Sequence, residues 1–171
     1  MLNIVLYEPE IPANTGNIMR TCMAFNMKLH LIEPLGFSFD DKYLKRASMD
    51  YIKEVDYTIY PNYDDFLQKN HNGQFVFFTR YALKSFDKCE FDKTADNIYL
   101  VFGKESTGID KHILKGHIDE CYRLPMVENA RSLNLSNCVA IGAYEALRQI
   151  GIDGLSDVEV IKGKDFLLQC K

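Results

Sequence analysis

The sequence predicts an α/β protein: a mostly parallel sheet with helices on both faces. Three observations predict it. Apolar runs alternate with amphipathic ones along the whole chain. Several apolar runs, such as Phe75-Val76-Phe77-Phe78 and Ile98-Tyr99-Leu100-Val101-Phe102, are unbroken, as strands covered on both faces are. The polar stretch Asn129–Asn137 feeds straight into the run Cys138–Tyr144, which can only be buried. That is how α/β proteins hold a ligand loop against a rigid frame.

The elements follow in order. A short apolar run without a basic flank makes residues 2–7 a first strand and not a signal peptide. Pro9 and Pro12 hold the next loop extended, and Asn14 is a good N-cap for a helix over 15–26. On that helix Ile18, Met19, Cys22 and Met23 can form the buried stripe. A strand over 28–33 carries His30, for which a core role is expected. A short helix over 40–47 takes Ser38 as N-cap and acids in its first turn. Lys42, Lys45 and Arg46 then share one face, either a solvated surface or a phosphate-contacting patch. A strand over 55–60 and a helix over 63–70 follow. Strands over 74–79 and 97–102 come next, then a helix over 109–115, a strand over 120–124 and a helix over 136–150. Ser136 or Asn134 can cap the last helix. From about Gly151 the chain is a charged tail in which Asp165–Leu168 can pack locally. No linker interrupts the 171 residues, which suit one compact domain. Ligands are expected at the C-terminal ends of the strands.

Composition narrows the functional classes. The net charge of −4 weighs against nucleic-acid binding by a whole-molecule field and leaves only local basic patches. No apolar stretch approaches the roughly 20 residues a membrane span requires. Five cysteines, odd in number and without a C-x-x-C pair, read as reduced thiols of a cytoplasmic protein. His112 and His117 have no Cys or acid at ligand spacing, so no metal is expected. No G-x-S-x-G elbow and no G-x-G-x-x-G fingerprint occurs.

Three segments can carry chemistry. In the first, Asn17 and Arg20 stand three apart on a polar helix face, where an Arg is placed to grip a phosphate or carboxylate. The second, Gly103-Lys104-Glu105-Ser106-Thr107-Gly108, has two glycines five apart like half a P-loop. Ile109-Asp110 replaces the required Lys and Ser or Thr. The loop therefore suits a neutral or cationic ligand, with Glu105 offering a carboxylate and the glycines allowing close backbone approach. In the third, an adenine-like ring could lie against Leu124, Met126 and Leu133. Ser132 and Asn134 alternate with Leu133 and can leave the apolar layer together.

Taken in order, the segments resemble the SPOUT superfamily of methyltransferases, and within it the family that methylates the ribose 2′-hydroxyl of the wobble nucleotide in transfer RNA. The matching residues are Asn14–Thr21, Phe102–Gly108, and Arg123–Met126 through Ser132–Asn137. Asn3–Pro12 and Ile32–Phe37 also look like that family, so the likeness covers about residues 2–151. The resemblance implies a single domain over 1–171 with a C-terminal deep trefoil knot, and a knot and cofactor site over about 75–151. A tail would follow over 152–171. It also implies S-adenosylmethionine as cofactor, a homodimer that completes the RNA site, and a transfer RNA anticodon stem-loop as partner. Carried over by position, Phe78, Thr79, Gly103, Glu105, Leu124, Met126, Ser132 and Leu133 line the cofactor pocket. Arg20, Ser132 and Asn134 face the ribose as the catalytic set. Asn14, Asn17, Lys42, Lys45, Arg46 and Arg131 join Arg20 in holding substrate. Two residues depart from the pattern: Thr107 stands where many relatives carry Arg or Lys, and Lys104 replaces a frequent Pro. Other readings are a 2′-O-methyltransferase for a different ribose, in ribosomal or transfer RNA, and a module that binds cofactor or RNA without turnover. Small residues at Ala140, Gly142, Ala143 and Ala146 fit either subunit pairing or a single-chain core.

Overall fold

Seven strands form one sheet in the order β3-β2-β1-β6-β4-β7-β5, and every pairing is parallel. They are β1 (Leu2–Tyr7), β2 (Lys28–Ile32), β3 (Tyr57–Tyr60), β4 (Gln74–Phe78), β5 (Lys84–Ser85), β6 (Ile98–Gly103) and β7 (Cys121–Arg123). The helices are α1 (Pro12–Ala24), α2 (Lys42–Ser48), α3 (Tyr63–Lys69), α4 (Lys111–Gly116), α5 (Leu135–Ile150) and the single turn α6 (Phe166–Gln169). The structure is a computed structural model and describes residues 1–49 and 53–169. Cys170, counted above among the thiols, lies outside the described residues.

The central strands are buried along their whole length because side chains alternate between two cores. On β1, Leu2, Ile4 and Leu6 join the core beneath α1, α2 and α5, whereas Val5 and Tyr7 join the core beneath α3 and α4. On β6, Ile98, Leu100 and Phe102 go to the first core, and Tyr99 and Val101 to the second. This two-sided burial is the physical content of the unbroken apolar runs.

His30 lies in the second layer, 1% exposed, between the Tyr60 hydroxyl at 2.8 Å and Asn3 Oδ1 at 3.2 Å. Burial pushes its pKa down to about 4, so the ring is neutral at pH 7 and structural.

Several local expectations are corrected. α1 begins at Pro12, with Ile11 in the cap position and no side-chain cap, so Asn14 is not its N-cap. Proline can open a helix because its missing N–H would be unpaired there anyway. Thr15 lies buried with Ile18, Met19 and Cys22, whereas Met23 is exposed. Asp41, not Ser38, caps α2, accepting from Tyr43 N at 2.7 Å. β5 escaped prediction because two residues show no periodicity. In the tail Leu167 and Leu168 are exposed, so the expected local packing does not involve them.

Candidate active site

In a parallel sheet the C-terminal strand ends lie along one edge. Here β1, β6, β4 and β7 are consecutive neighbours, so the loops that follow them come together there. The strand order also reverses beside β1: β2 and β3 extend to one side and all later strands to the other. Such a switch point is where open α/β sheets bind ligands.

Next to this point, over the ends of β6, β4 and β7, lies a cleft of about 120 Å³ that opens into an adjoining hollow of about 640 Å³ sharing its Phe78, Thr79, Ser132 and Leu133. Phe78 and Phe102 stack with ring centroids 4.2 Å apart and form one wall. α5 approaches these rings through Gly142, where a Cβ would lie 3.0 Å from Phe78 Cζ and 3.1 Å from Phe102 Cζ. Leu124, Met126 and Leu133, from the loop after β7, supply further apolar lining. Thr79 and Ser132 bring polar groups, and Gly103 brings open backbone. Arg123 Nη1 donates to the Arg80 carbonyl at 3.1 Å, tying the loop after β4 to the end of β7. Phe78, Thr79, Gly103, Leu124, Met126, Ser132 and Leu133, seven of the eight residues expected to hold cofactor, thus line one cleft. Phe102, Arg80, Leu135 and Cys138 also line it and were missed. Phe102 and Cys138 read in sequence only as core residues.

Beside this cleft the polar groups form a continuous chain. Asn134 Nδ2 donates to Asn14 Oδ1 at 3.0 Å, and Asn14 Nδ2 donates to Glu105 Oε1 at 3.0 Å. The Glu105 carboxylate also accepts from the backbone N–H groups of Glu10 at 2.9 Å and Ile11 at 3.2 Å. Glu10 answers in the opposite direction, its carboxylate accepting from Ser106 N at 2.9 Å and Ser106 Oγ at 2.8 Å. Those bonds hold the Glu10 carboxyl below the usual range. Lys104 pairs with Glu8, and that bond raises the Lys104 pKa. The lysine that replaces a proline therefore anchors the loop through its side chain.

Glu105 lines the hollow beside the cleft with its carboxylate already engaged. Its oxygens face three N–H donors from the loop after β1 and from α1. Asn134 has two structural duties: its Oδ1 caps α5, accepting from Ser136 N at 2.9 Å, and its amide grips Asn14. The polar segment before α5 is therefore both a helix cap and a wall of the cleft.

Arg20 and Asn17 are elsewhere. They line a surface groove between α1 and α5, with Phe25, Ser136, Ile141 and Tyr144. Within one chain the structure does not bring Arg20 into the lining of the cleft that Ser132 and Asn134 share. Lys42, Lys45 and Arg46 are exposed on α2 and line neither cleft nor groove; Lys45 pairs with Asp40. Arg131 is exposed on the loop after β7, outside the cleft lining.

A single change tests the polar chain. Glu105→Gln keeps the shape but replaces one acceptor oxygen by an amide donor, so at least one part-buried or exposed N–H loses its partner. The expected cost is about 1–3 kcal/mol, or a melting point lower by about 5 °C. Thermal unfolding monitored by circular dichroism reads it. A melting point within 1 °C of the parent would mean that the carboxylate does not hold the loops together.

An open parallel sheet with an apolar cleft over the ends of β6, β4 and β7, beside its switch point and walled by loops that hydrogen-bond to one another, defines an α/β protein built to bind a small cofactor. The chain belongs to the SpoU rRNA Methylase family, whose model matches residues 1–144. It is 43% identical over 155 residues to the tRNA (cytidine(34)-2'-O)-methyltransferase of Escherichia coli K12, covering 90% of this chain and 97% of that protein. A Geobacillus stearothermophilus relative, named provisionally for the same activity, is 50% identical over 155 residues, 91% of this chain and 99% of its own. A solved structure concerned with 2-OH methylation of C/U34 on tRNA superposes with a TM-score of 0.81 at 38% identity. That match covers 88% of this chain and 96% of the other.

Proposed function

We infer that this chain is an S-adenosylmethionine-dependent methyltransferase acting on the ribose 2′-hydroxyl of the wobble nucleotide, cytidine or modified uridine, in the transfer RNA anticodon loop. The observation that carries the reading is the convergence of three loops on one apolar cleft. The chain's relatives, 43–50% identical over nearly their full length, are named for that reaction.

The lining fits the cofactor. Apolar walls from Leu124, Met126 and Leu133 suit an adenine ring, and Gly103 leaves room for close approach. When bound, the cofactor supplies a methyl group on a positively charged sulfur. This chain's own residues supply alignment and charge. Ser132 and Asn134 orient the ribose. Arg20 holds a neighbouring phosphate and stabilises the developing alkoxide, while the phosphate or a water receives the proton, because a guanidinium with a pKa above about 12 does not readily release one. Asn14, Asn17, Arg131 and the α2 cations Lys42, Lys45 and Arg46 contribute substrate contacts.

Arg20 reaches that role across a homodimer. The α1–α5 groove exposes Ile141 and Tyr144 beside Arg20, and its Ser136 and Asn137 are chain neighbours of Leu135 and Cys138, which line the cleft. A partner protomer seated on this groove joins the two. Gly142, Ala143 and Ala146 are buried within the chain, so large apolar side chains, not small ones, would form the contact.

Residues 1–171 form a single domain, of which 152–171 is the tail. The segment over 75–151 is threaded as a trefoil knot, for which the support is the grip of α5 on an earlier segment: Gln149 Nε2 donates to the Cys89 carbonyl at 2.9 Å and Gln149 Oε1 accepts from Phe91 N at 3.1 Å. A crystallographic chain trace through 86–97 and 135–150 decides the threading. The protein works in the cytoplasm, where its substrate is. No helix among the described residues is long and apolar enough to cross a membrane.

The test is methyl transfer from labelled S-adenosylmethionine to unmodified transfer RNA, with nuclease digestion and mass spectrometry to locate the methyl group. Label on ribose 34 is the expected result. Label on another ribose would move the target, and cofactor binding without transfer to any transfer RNA would overturn the reading.

A further inference from the structure

Beside the cleft, the loop after β4 turns tightly and presents Tyr81 to solvent. Tyr81 N donates to Thr79 Oγ1 at 3.3 Å and Ala82 N to the Thr79 carbonyl at 3.4 Å, which fixes the turn. The ring is 58% exposed, far more than an aromatic packed for stability. Two cations attend it: the Arg80 guanidinium carbon lies 5.3 Å from the ring centroid and Lys111 Nζ 5.8 Å from it. Tyr81 and Lys111 stand between the hollow adjoining the cleft and a second groove, lining both. That second groove is apolar at Leu83, Leu114 and Ile118 and edged by Lys115.

The charge here runs against the whole molecule. In a chain of net charge −4, Arg80, Lys84, Lys104, Lys111, Lys115 and Arg123 gather around this edge. Lys84 and Lys104 form ion pairs, with Asp119 and Glu8. Arg80, Lys111, Lys115 and Arg123 form none among the described residues. An exposed aromatic ring flanked by uncompensated cations is the combination that holds single-stranded nucleic acid: a base stacks on the ring and the cations meet phosphates.

We propose that Tyr81 is a stacking platform for an unpaired base of the RNA substrate next to the ribose in the cleft, with Lys111 and Lys115 taking the adjoining phosphates. The proposal rests on the methyltransferase reading for its substrate. It goes beyond that reading in assigning a recognition site to a turn that none of the three motif segments contains. The platform lies beside the cleft and not in its lining, so it would take a flanking nucleotide and not the methylated one. Because stacking engages the ring face, any base is accepted, and the site contributes affinity and register more than sequence choice.

The test compares Tyr81→Ala and Tyr81→Phe with the parent in steady-state methylation of transfer RNA. Cofactor binding and melting point are measured alongside. Loss of a stacked base is expected to raise KM for RNA about tenfold in Tyr81→Ala, with kcat and cofactor affinity within twofold and an unchanged melting point. Tyr81→Phe keeps the ring and is expected to behave as the parent. An unchanged KM in Tyr81→Ala, or an equal defect in Tyr81→Phe, would overturn the proposal. A second measurement separates it from the reading it rests on: quenching of 2-aminopurine placed beside the target position in a short single-stranded anticodon-loop RNA. If the parent methylates no transfer RNA, the activity reading fails. The platform then stands if the parent quenches the probe and Tyr81→Ala does not, and falls if both behave alike.

Discussion

Alanine at Gly103 is expected to destabilise the protein by about 3 kcal/mol or more, lowering the melting point by about 10 °C. Two causes add. Gly103 has a φ of +112°, which side chains rarely tolerate, and a Cβ there would lie 2.4 Å from the Tyr7 carbonyl oxygen. That oxygen belongs to the neighbouring strand, in register with Gly103 where β1 and β6 end. Backbone cannot swing away as a lysine tip would, so the strands must separate at their C-terminal ends, the edge that forms the cleft. Cofactor affinity should therefore fall together with stability. Gly108, at the other end of the same loop, is the control. Its φ is +78°, but its Cβ would meet only the Gly103 carbonyl, at 3.9 Å. Gly108→Ala should cost only the backbone strain, about 1 kcal/mol. Melting curves and cofactor titration of the two variants decide it. Equal effects would mean that conformation alone, and not the close approach of β1, makes glycine necessary at Gly103.

The contrast between those glycines shows what was legible in the sequence and what was not. Both glycines, and the loop they bound, were visible as a motif. Their different burdens were not, because they depend on β1 and β6 being neighbours, a pairing between segments more than ninety residues apart. The longer strands and helices were readable because most are unbroken apolar runs, as in β1 and β6, or bury one apolar stripe, as in α1 and α5, and both patterns are local. The polar stitches were not readable for the opposite reason. Glu8 with Lys104, Glu10 with Ser106, and Glu105 with Asn14 are matches across adjacent parallel strand ends. Asn14 shows the cost of a local rule applied alone: its type suggested a helix cap, while its neighbours in space use it as the link between Glu105 and Asn134. The cleft lining came through better, since Leu124, Met126, Ser132 and Leu133 stand close in sequence and alternate in character. Tyr81 was not legible as a site, because a lone tyrosine between strands looks like ordinary surface until its cations and the hollows on either side are seen.

Two inactive variants are expected to restore activity when mixed. In the proposed mechanism Arg20→Ala removes the charge that would stabilise the developing alkoxide, a loss on the order of 10²–10³-fold for one such group. Leu133→Asp sets a carboxylate into the apolar wall of the cleft, where Leu133 is 41% exposed, so folding tolerates it while cofactor binding does not. Arg20 lines the α1–α5 groove and Leu133 the cleft, and the two share no lining residue. In a two-fold dimer joined through the groove, each site combines the cleft of one protomer with Arg20 of the other. A heterodimer of the two variants then has one site with both lesions and one with neither. Half of the dimers in an equal mixture are heterodimers, so about a quarter of the parent activity should return. An Arg20 serving its own chain's cleft would leave one lesion in each heterodimer site and restore nothing. Sizing the mixture alongside the assay separates that outcome from a failure to pair: recovery requires both a dimer and a guanidinium that crosses it.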